Sequence, residues 1–186
     1  MKRIFDIIIS FVLIFILILP MVIIYLSIII TSSGGGIHWS VRIGKNNQEF
    51  YMPKFRTMKI STPQVATHKM INPNNYITKV GRIIRKASLD ELPQLFTVLM
   101  GKMTLVGPRP ALFNQYDLIE LRKKNKIDEL KPGITGYAQV NGRDLLTIKE
   151  KVMCEKIYRD NMSLLLDIKI IIKTVYYLLR LSYIKH

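Results

Sequence analysis

Hydrophobic and polar positions divide the chain into an unbroken apolar run, a mixed middle and an apolar close. From Ile7 to Ile30, 24 residues carry no charge and are nearly all Ile, Leu, Val and Phe, which predicts a membrane segment. Pro20 divides the run into residues 7–19 and 21–30. These halves are about 20 Å and 15 Å of helix at about 1.5 Å per residue, each short of a hydrocarbon core of about 30 Å. Lys2 and Arg3 precede the run, and Arg42, Lys45, Lys54, Arg56 and Lys59 follow it against one acid, Glu49. Positive flanks prefer the cytoplasm. A re-entrant segment, helix-break-helix with the break at Pro20, satisfies both flanks, whereas a spanning helix violates one. "TSSGGG" (31–36) then reads as a hinge, with Trp39 placed as an interfacial aromatic.

The pattern changes at residue 41. "VRIGKNNQEFYMPKFRTM" (41–58) predicts two short strands around the turn "GKNN", with Lys54 and Arg56 two apart and therefore on one face, sharing a target. "STPQVATHKMINPNN" (61–75) reads as a polar loop in which His68 has no ligand-type neighbour, and "YITKVGRIIRK" (76–86) as a short basic helix. Residues 144–162 are helical in pattern. From Ser163 onward, Lys169, Lys173 and Arg180 interrupt an apolar run at spacings of four and seven, which fits either a helix on a membrane surface or a core helix.

Between these lies "KASLDELPQLFTVLMGKMTLVGPRP" (86–110), where Asp90 and Glu91 stand side by side. Ser88 and Glu91 match a capping box, and Leu92, Leu95, Phe96 and Leu99 then recur at helical spacing before Gly101. Pro93 is better placed if Asp90 is the cap. Either register puts both carboxylates at a helix N-terminus, which favours their ionised forms. Adjacent helical residues diverge by about 100°, so the pair suits two separate tasks: one carboxylate to attack, the other to hold a metal. "GPRP" fixes Arg109 on a stiff loop. "KPGITGYAQVNGR" (131–143) carries Gly133, Gly136 and Gly142, which would let backbone approach a ligand, and ends in Arg143.

Charge narrows the partners. The chain has 28 Lys and Arg against 13 Asp and Glu, a net charge of +15, so phosphates, nucleic acid or an acidic lipid surface are the natural partners. Cys154 is the only cysteine, which excludes an internal disulfide framework and a cysteine-rich zinc site. A carboxylate that attacks a phosphoryl group needs cations to offset the repulsion, and the chain supplies them.

At "SLDELPQLFTVLMGKMTLVGPRP" and "KPGITGYAQVNGR" the sequence resembles the monotopic phosphoglycosyl transferases, bacterial sugar transferases that start glycan assembly on a polyprenyl phosphate. The likeness runs from the N-terminal apolar segment through "PKFRTM" to "LLLDIKIIIKT". It implies a mainly helical α+β fold: a re-entrant membrane hairpin and hinge (1–36) and a small catalytic domain (37–186) with short strands and interfacial amphipathic helices, on the cytoplasmic face of the bacterial inner membrane. It further implies that Asp90 attacks the sugar-proximal phosphorus of a UDP-sugar, an N-acetylated one by analogy, releasing UMP. The polyprenyl (undecaprenyl) phosphate would then take the phosphosugar from Asp90. Glu91 would hold Mg²⁺, and Lys54, Arg85, Arg109 and Arg143 would bind phosphate or nucleotide. Membrane phospholipid, rather than nucleic acid, is the surface partner so implied. Leu19 stands where relatives often place Ser before the proline, and larger relatives carry a preceding bundle of spans, so the chain reads as a minimal catalytic unit. Two rival readings are a basic, membrane-anchored binding module and a nucleotide-sugar hydrolase that passes the same intermediate to water.

Overall fold

The computed structural model describes residues 1–62 and 75–179. His68 and most of the loop expected over 61–75 lie outside the described residues, as does Arg180. Seven helices and five short strands are described, the mainly helical α+β class expected. Helix α1 (Lys2–Thr31) opens the chain and runs unbroken through Pro20. The helix-break-helix expected there is therefore one helical segment of 30 residues, apolar and long enough to cross a membrane by length and composition. Proline removes one ladder bond, which did not suffice to end the segment.

Both parts of α1 pack on the same body. Phe5, Ile9, Leu13 and Ile14 join a core built on Met52, Leu95, Val98 and Met103. Met21 and Ile28 join Phe55 and Ile84 in a second core. The opposite side of the helix, with Ile4, Ile8, Phe11, Phe15, Leu19, Val22, Leu26 and Ile30, is exposed. A helix with one apolar stripe on protein and another facing outward suits a protein-backed membrane surface.

Strands β1 (Ile37–Ile43) and β2 (Glu49–Phe55) form the expected antiparallel hairpin, His38 opposite Lys54 and Arg42 opposite Phe50. Asn46 and Asn47 supply positive φ in the turn, a conformation Asn tolerates. After Phe55 the shared face of Lys54 and Arg56 is broken. Arg56 turns back to the end of α1 and donates to the carbonyls of Ser32, Ser33 and Gly34 and to Ser32 Oγ, while Lys54 points elsewhere. The glycine-rich exit is thus tied down, and Trp39 beside it is exposed.

Helix α2 (Lys79–Lys86) is the basic helix expected, capped by Thr78 Oγ1, which accepts from Gly81 N at 2.9 Å. Helix α3 (Gln94–Leu99) begins at Pro93, later than the capping-box reading placed it. Ser88 is left-handed (φ 54°) with no side-chain cap bond, so the S-x-x-E pattern makes no box here. A complete capping box is present at Thr147–Glu150, opening α6 (Ile148–Asp160). Helix α3 ends at Gly101 as expected (φ 82°), and Arg3 of α1 donates to its last carbonyls, Val98 O at 2.6 Å and Leu99 O at 2.7 Å. Phe96, expected in the core, is exposed, and Gln94, Thr97 and Val98 are buried instead. With α1, β2 and β3 all packed against it, a six-residue helix has more than one inward face.

Strands β3 (Thr104–Val106) and β5 (Gly133–Thr135) pair in parallel, and β4 (Ala111–Leu112) adds to β1. The expected ligand-approaching glycines have another use: a Cβ on Gly133 would lie 2.1 Å from Gly107 N, and one on Gly136 would lie 2.1 Å from Gly107 O. These glycines let the "GPRP" and "KPGITG" backbones touch. Helices α4 (Tyr116–Lys124), α5 (Tyr137–Val140) and α7 (Leu164–Leu179) complete the body. Leu165, Ile168, Ile172, Val175 and Tyr176 of α7 are exposed while Ile170 is buried and Leu166, Ile171 and Tyr177 pack on the main core, so the helix has one face on the core and another turned outward.

Candidate active site

Asp90 and Glu91 sit on a single 3-10 turn (Leu89–Glu91), ahead of α3 and not on its N-terminus. The left-handed Ser88 reverses the chain out of α2, and Pro93 restarts it as α3. This short turn faces β2 on one side and the loop after β3 on the other. Lys54, from β2, donates to Glu91 Oε1 at 2.7 Å, and Arg109 donates to the same oxygen at 2.8 Å. The Lys54 and Glu91 side chains are 16% and 14% exposed, so this pair is largely shielded from water, while Arg109 at 40% reaches the opening.

The neighbours therefore have different environments. Burial acts against the charge on Glu91, yet Arg109 and Lys54 outweigh it and hold the carboxyl well below the usual carboxylate range. For Asp90 burial is the largest influence and raises its pKa, with Glu91 adding to the rise and Lys54, Arg85 and Arg109 opposing it. For Asp90 burial opposes the ionised form that the helix-terminus argument favours, and the pair sits on a single 3-10 turn ahead of α3 rather than on the first turn of that helix. No described residue hydrogen-bonds the Asp90 carboxylate. Both bonds to Glu91 fall on Oε1, and none among the described residues reaches Oε2. The two carboxylates thus have separate settings: Glu91 is clamped by Lys54 and Arg109, and Asp90 takes no hydrogen bond from a described residue.

Arg109 is held by its backbone. Its carbonyl accepts from Arg122 Nη2 at 2.9 Å, and Arg122 of α4 is itself paired in the interior with Glu155 of α6. The next carbonyl, Pro110 O, accepts from Arg42 Nη1 at 3.3 Å. Arg85, in the last turn of α2, is near enough to act on Asp90. Arg143 has positive φ (51°) in a turn after Gly142, and it is not among the charges acting on Asp90, Glu91, Lys54 or Arg42. Of the expected phosphate-binding residues, Lys54, Arg85 and Arg109 gather around the carboxylate pair, and Arg143 lies on the turn that follows Gly142.

Sequence reasoning missed Arg42, which had counted only as a flanking charge. Arg109 and Glu91 both act on it, and burial with Arg109 lowers its pKa to about 10. The signal was available: His38, Ser40 and Arg42 alternate along β1 on the face that carries Lys54 across the hairpin. Burial, Arg42 and Lys54 lower the pKa of His38, favouring its neutral form.

No group of three or more His, Cys, Asp or Glu able to hold a metal occurs among the described residues, so an all-protein cage is not what this site offers. Mg²⁺ is commonly held by one or two carboxylates plus substrate phosphates. Glu91, whose Oε2 takes no hydrogen bond from a described residue, would supply the one carboxylate of that mode.

A clamped acid, a second acid that takes no hydrogen bond from a described residue and four cations thus lie together in one site. The profile of the bacterial sugar transferase family matches residues 1–181, and the chain belongs to that family. It is 43% identical over 135 residues to the uncharacterized sugar transferase EpsL of Bacillus subtilis, covering 73% of this chain and 65% of the relative. It is 37% identical over 199 residues to the undecaprenyl-phosphate galactose phosphotransferase of Salmonella typhimurium, covering 97% of this chain and 40% of the relative. With the UDP-glucose:undecaprenyl-phosphate glucose-1-phosphate transferase of Xanthomonas campestris it shares 41% over 141 residues, 72% of this chain and 29% of the relative. The chain thus spans from under a third to about two thirds of the length of these relatives.

Proposed function

We propose that this protein transfers a phosphosugar from a UDP-sugar to polyprenyl phosphate in two steps through Asp90. One observation carries the reading: adjacent carboxylates, one fixed by Lys54 and Arg109 and one unengaged, lie in a site with four cations to two acids. Such an excess of positive charge suits a diphosphate. In the first step an Asp90 oxygen bonds to the sugar-proximal phosphorus, the bond to the bridging oxygen breaks, and UMP departs. In the second, a phosphate oxygen of the lipid attacks the same phosphorus and frees Asp90, leaving a polyprenyl diphosphate sugar. Lys54 and Arg109 keep Glu91 ionised and oriented and lower the repulsion met by the incoming phosphates. Glu91 would hold Mg²⁺, which would supply charge neutralisation of the diphosphate.

The same reading places α1 in the cytoplasmic leaflet as a re-entrant segment with phospholipid around its outer face. Its support is that both ends are bound to one body: Lys2, Arg3 and Asp6 to residues of α3, β3 and α7, and residues 32–34 to Arg56. Ends fixed to the same cytoplasmic body do not lie on opposite sides of a bilayer. Labelling of either flank from the outer side of intact cells would contradict this placement.

The names of relatives carry galactose and glucose, so a donor screen sets UDP-galactose and UDP-glucose against their N-acetylated counterparts. The decisive experiment follows UMP from purified protein, Mg²⁺ and the best donor, with and without undecaprenyl phosphate. Sustained turnover only with the lipid, after a single equivalent without it, is expected. Equal sustained turnover without lipid favours hydrolysis and overturns the transfer.

A further inference from the structure

Arg42 is the cation to which the reaction so far gives no task. It projects from β1 and donates from Nε to Ser40 Oγ at 3.0 Å and from Nη1 to Pro110 O at 3.3 Å. Its Nη2 makes no hydrogen bond among the described residues. The hairpin register fixes its place in the site: Arg42 lies opposite Phe50, four residues along β2 from Lys54, whose Nζ holds Glu91, and its Nη1 reaches the carbonyl next to Arg109. Along the hairpin, then, Arg42 stands past Lys54, beside the loop that carries Arg109.

A donor diphosphate has the same linear order. Its sugar-side phosphorus must reach Asp90, and its nucleotide-side phosphate extends past Arg109. We propose that Arg42 binds the nucleotide-side phosphate of the donor and offsets the negative charge that develops there as the nucleoside monophosphate leaves. The proposal rests on the two-step transfer above. As the Asp90 oxygen bonds to the sugar-side phosphorus, the bond from that phosphorus to the bridging oxygen breaks. The electron pair stays on that oxygen, and the departing phosphate gains one negative charge with no proton transferred. A guanidinium with an uncommitted Nη2 beside that oxygen stabilises the charge where it appears. The site favours such an occupant, because Arg42 and Arg109 oppose one another's charge and Glu91, already held by Lys54 and Arg109, offsets only part of it, leaving positive charge for a second anion.

The rival role is a strut: Arg42 holds Pro110 O and thereby only positions Arg109. The two half-reactions separate these roles, because the nucleotide is present in the first and gone in the second, whereas Arg109 serves both. The test uses the full chain in nanodiscs, with single-turnover UMP release, discharge of the isolated Asp90 adduct by undecaprenyl phosphate, and UMP affinity by calorimetry. Arg42→Gln is expected to slow UMP release by about 10²–10³-fold and to weaken UMP binding, while adduct discharge stays at the wild-type rate. Arg42→Lys, which keeps the charge but not the forked donors, should recover part of both losses. Equal slowing of release and discharge, or an unchanged UMP affinity, overturns the proposal in favour of the strut. Should Arg42→Gln not fold, Arg42→Lys decides alone: weaker UMP binding with normal discharge supports the assignment, and wild-type affinity overturns it. Failure of the wild-type protein to form any adduct would instead overturn the two-step reading, and the control reaction reports it separately.

Discussion

Two charged clusters flank the loop that carries Arg109, and they are built on opposite principles. In the cluster around β3, every carboxylate oxygen has a partner: Asp167 takes Lys2 Nζ at 2.5 Å and Tyr158 OH at 2.6 Å, and Asp6 takes Thr104 Oγ1 at 2.6 Å and Leu105 N at 3.2 Å. Lys2 Nζ and Tyr158 OH also both donate to Val106 O, each at 3.1 Å. This cluster closes on itself and joins α1, β3, α6 and α7. At the Asp90–Glu91 turn cations outnumber carboxylates and Asp90 takes no hydrogen bond from a described residue. Balance marks a structural joint, and imbalance marks a site prepared for an anion that arrives from outside.

The largest expected difference between the clusters is in rate. Asp90→Asn should slow the first step by at least about 10³-fold, as loss of a nucleophile does elsewhere, measured as UMP release in a single turnover. Its stability should not fall. Because the folded pKa of Asp90 lies above its unfolded value, the unfolded chain releases its proton first as pH rises. Ionised Asp90 therefore lowers stability above that window and has no effect below it. The Asn variant should melt at or above the wild-type temperature at neutral pH, and a clear decrease would show that the acid is structural.

On the other side of the comparison, Asp167→Asn should cost about 3–4 kcal/mol, since it leaves Lys2 unpaired and disrupts a buried network, read as a lowered melting temperature. Glu91→Gln should cost about 2–3 kcal/mol, less because Arg109 is partly solvated. Its sign in pH is opposite to that of Asp90. A folded pKa below the unfolded one gives stability that is present above the ordinary Glu value and lost as pH falls through it toward the folded pKa, so the gap between wild type and Gln variant should close in acid. A gap constant with pH would contradict the clamped-acid assignment.

The pH profile of UMP release sharpens the contrast. Asp90 must be ionised to attack and Lys54 protonated to neutralise. Burial raises the first pKa and lowers the second, so the acid limb should lie above the ordinary Asp value and the alkaline limb below the ordinary Lys value. Tyr158→Phe should have the smallest effect, about 1 kcal/mol for a hydrogen-bonding hydroxyl lost from the closed cluster, with the shape of the pH profile unchanged.

How much of this was legible in the sequence follows from the same distinction. The apolar run, the hairpin and the basic helix were legible because each rests on a local period, whereas the spacing of Lys169 and Lys173 left α7 open between a surface and a core helix. The Asp90–Glu91 pair with Lys54, Arg85 and Arg109 was legible because short motifs carry it. The register of α3 was not, since Ser88 takes a left-handed conformation that the S-x-x-E spacing does not reveal. Arg56 was misread because the strand face it shared with Lys54 ends at Phe55. Asp6, Asp167, Arg122 and Glu155 were missed because their partners lie up to 165 residues away. Asp6 and Asp167 did offer a signal, an isolated acid at the edge of, or inside, an apolar stretch, which asks for a partner that only the tertiary fold can name.

The central claim is that Asp90 bonds transiently to phosphorus. Intact-protein mass spectrometry of a quenched mixture containing UDP-sugar and Mg²⁺ but no lipid tests it most directly. The account predicts a gain in mass equal to one phosphosugar, mapped to the peptide bearing Asp90 and removed by adding undecaprenyl phosphate. Sustained transfer to lipid by protein that never carries such an adduct, or that carries it on another residue, would contradict it.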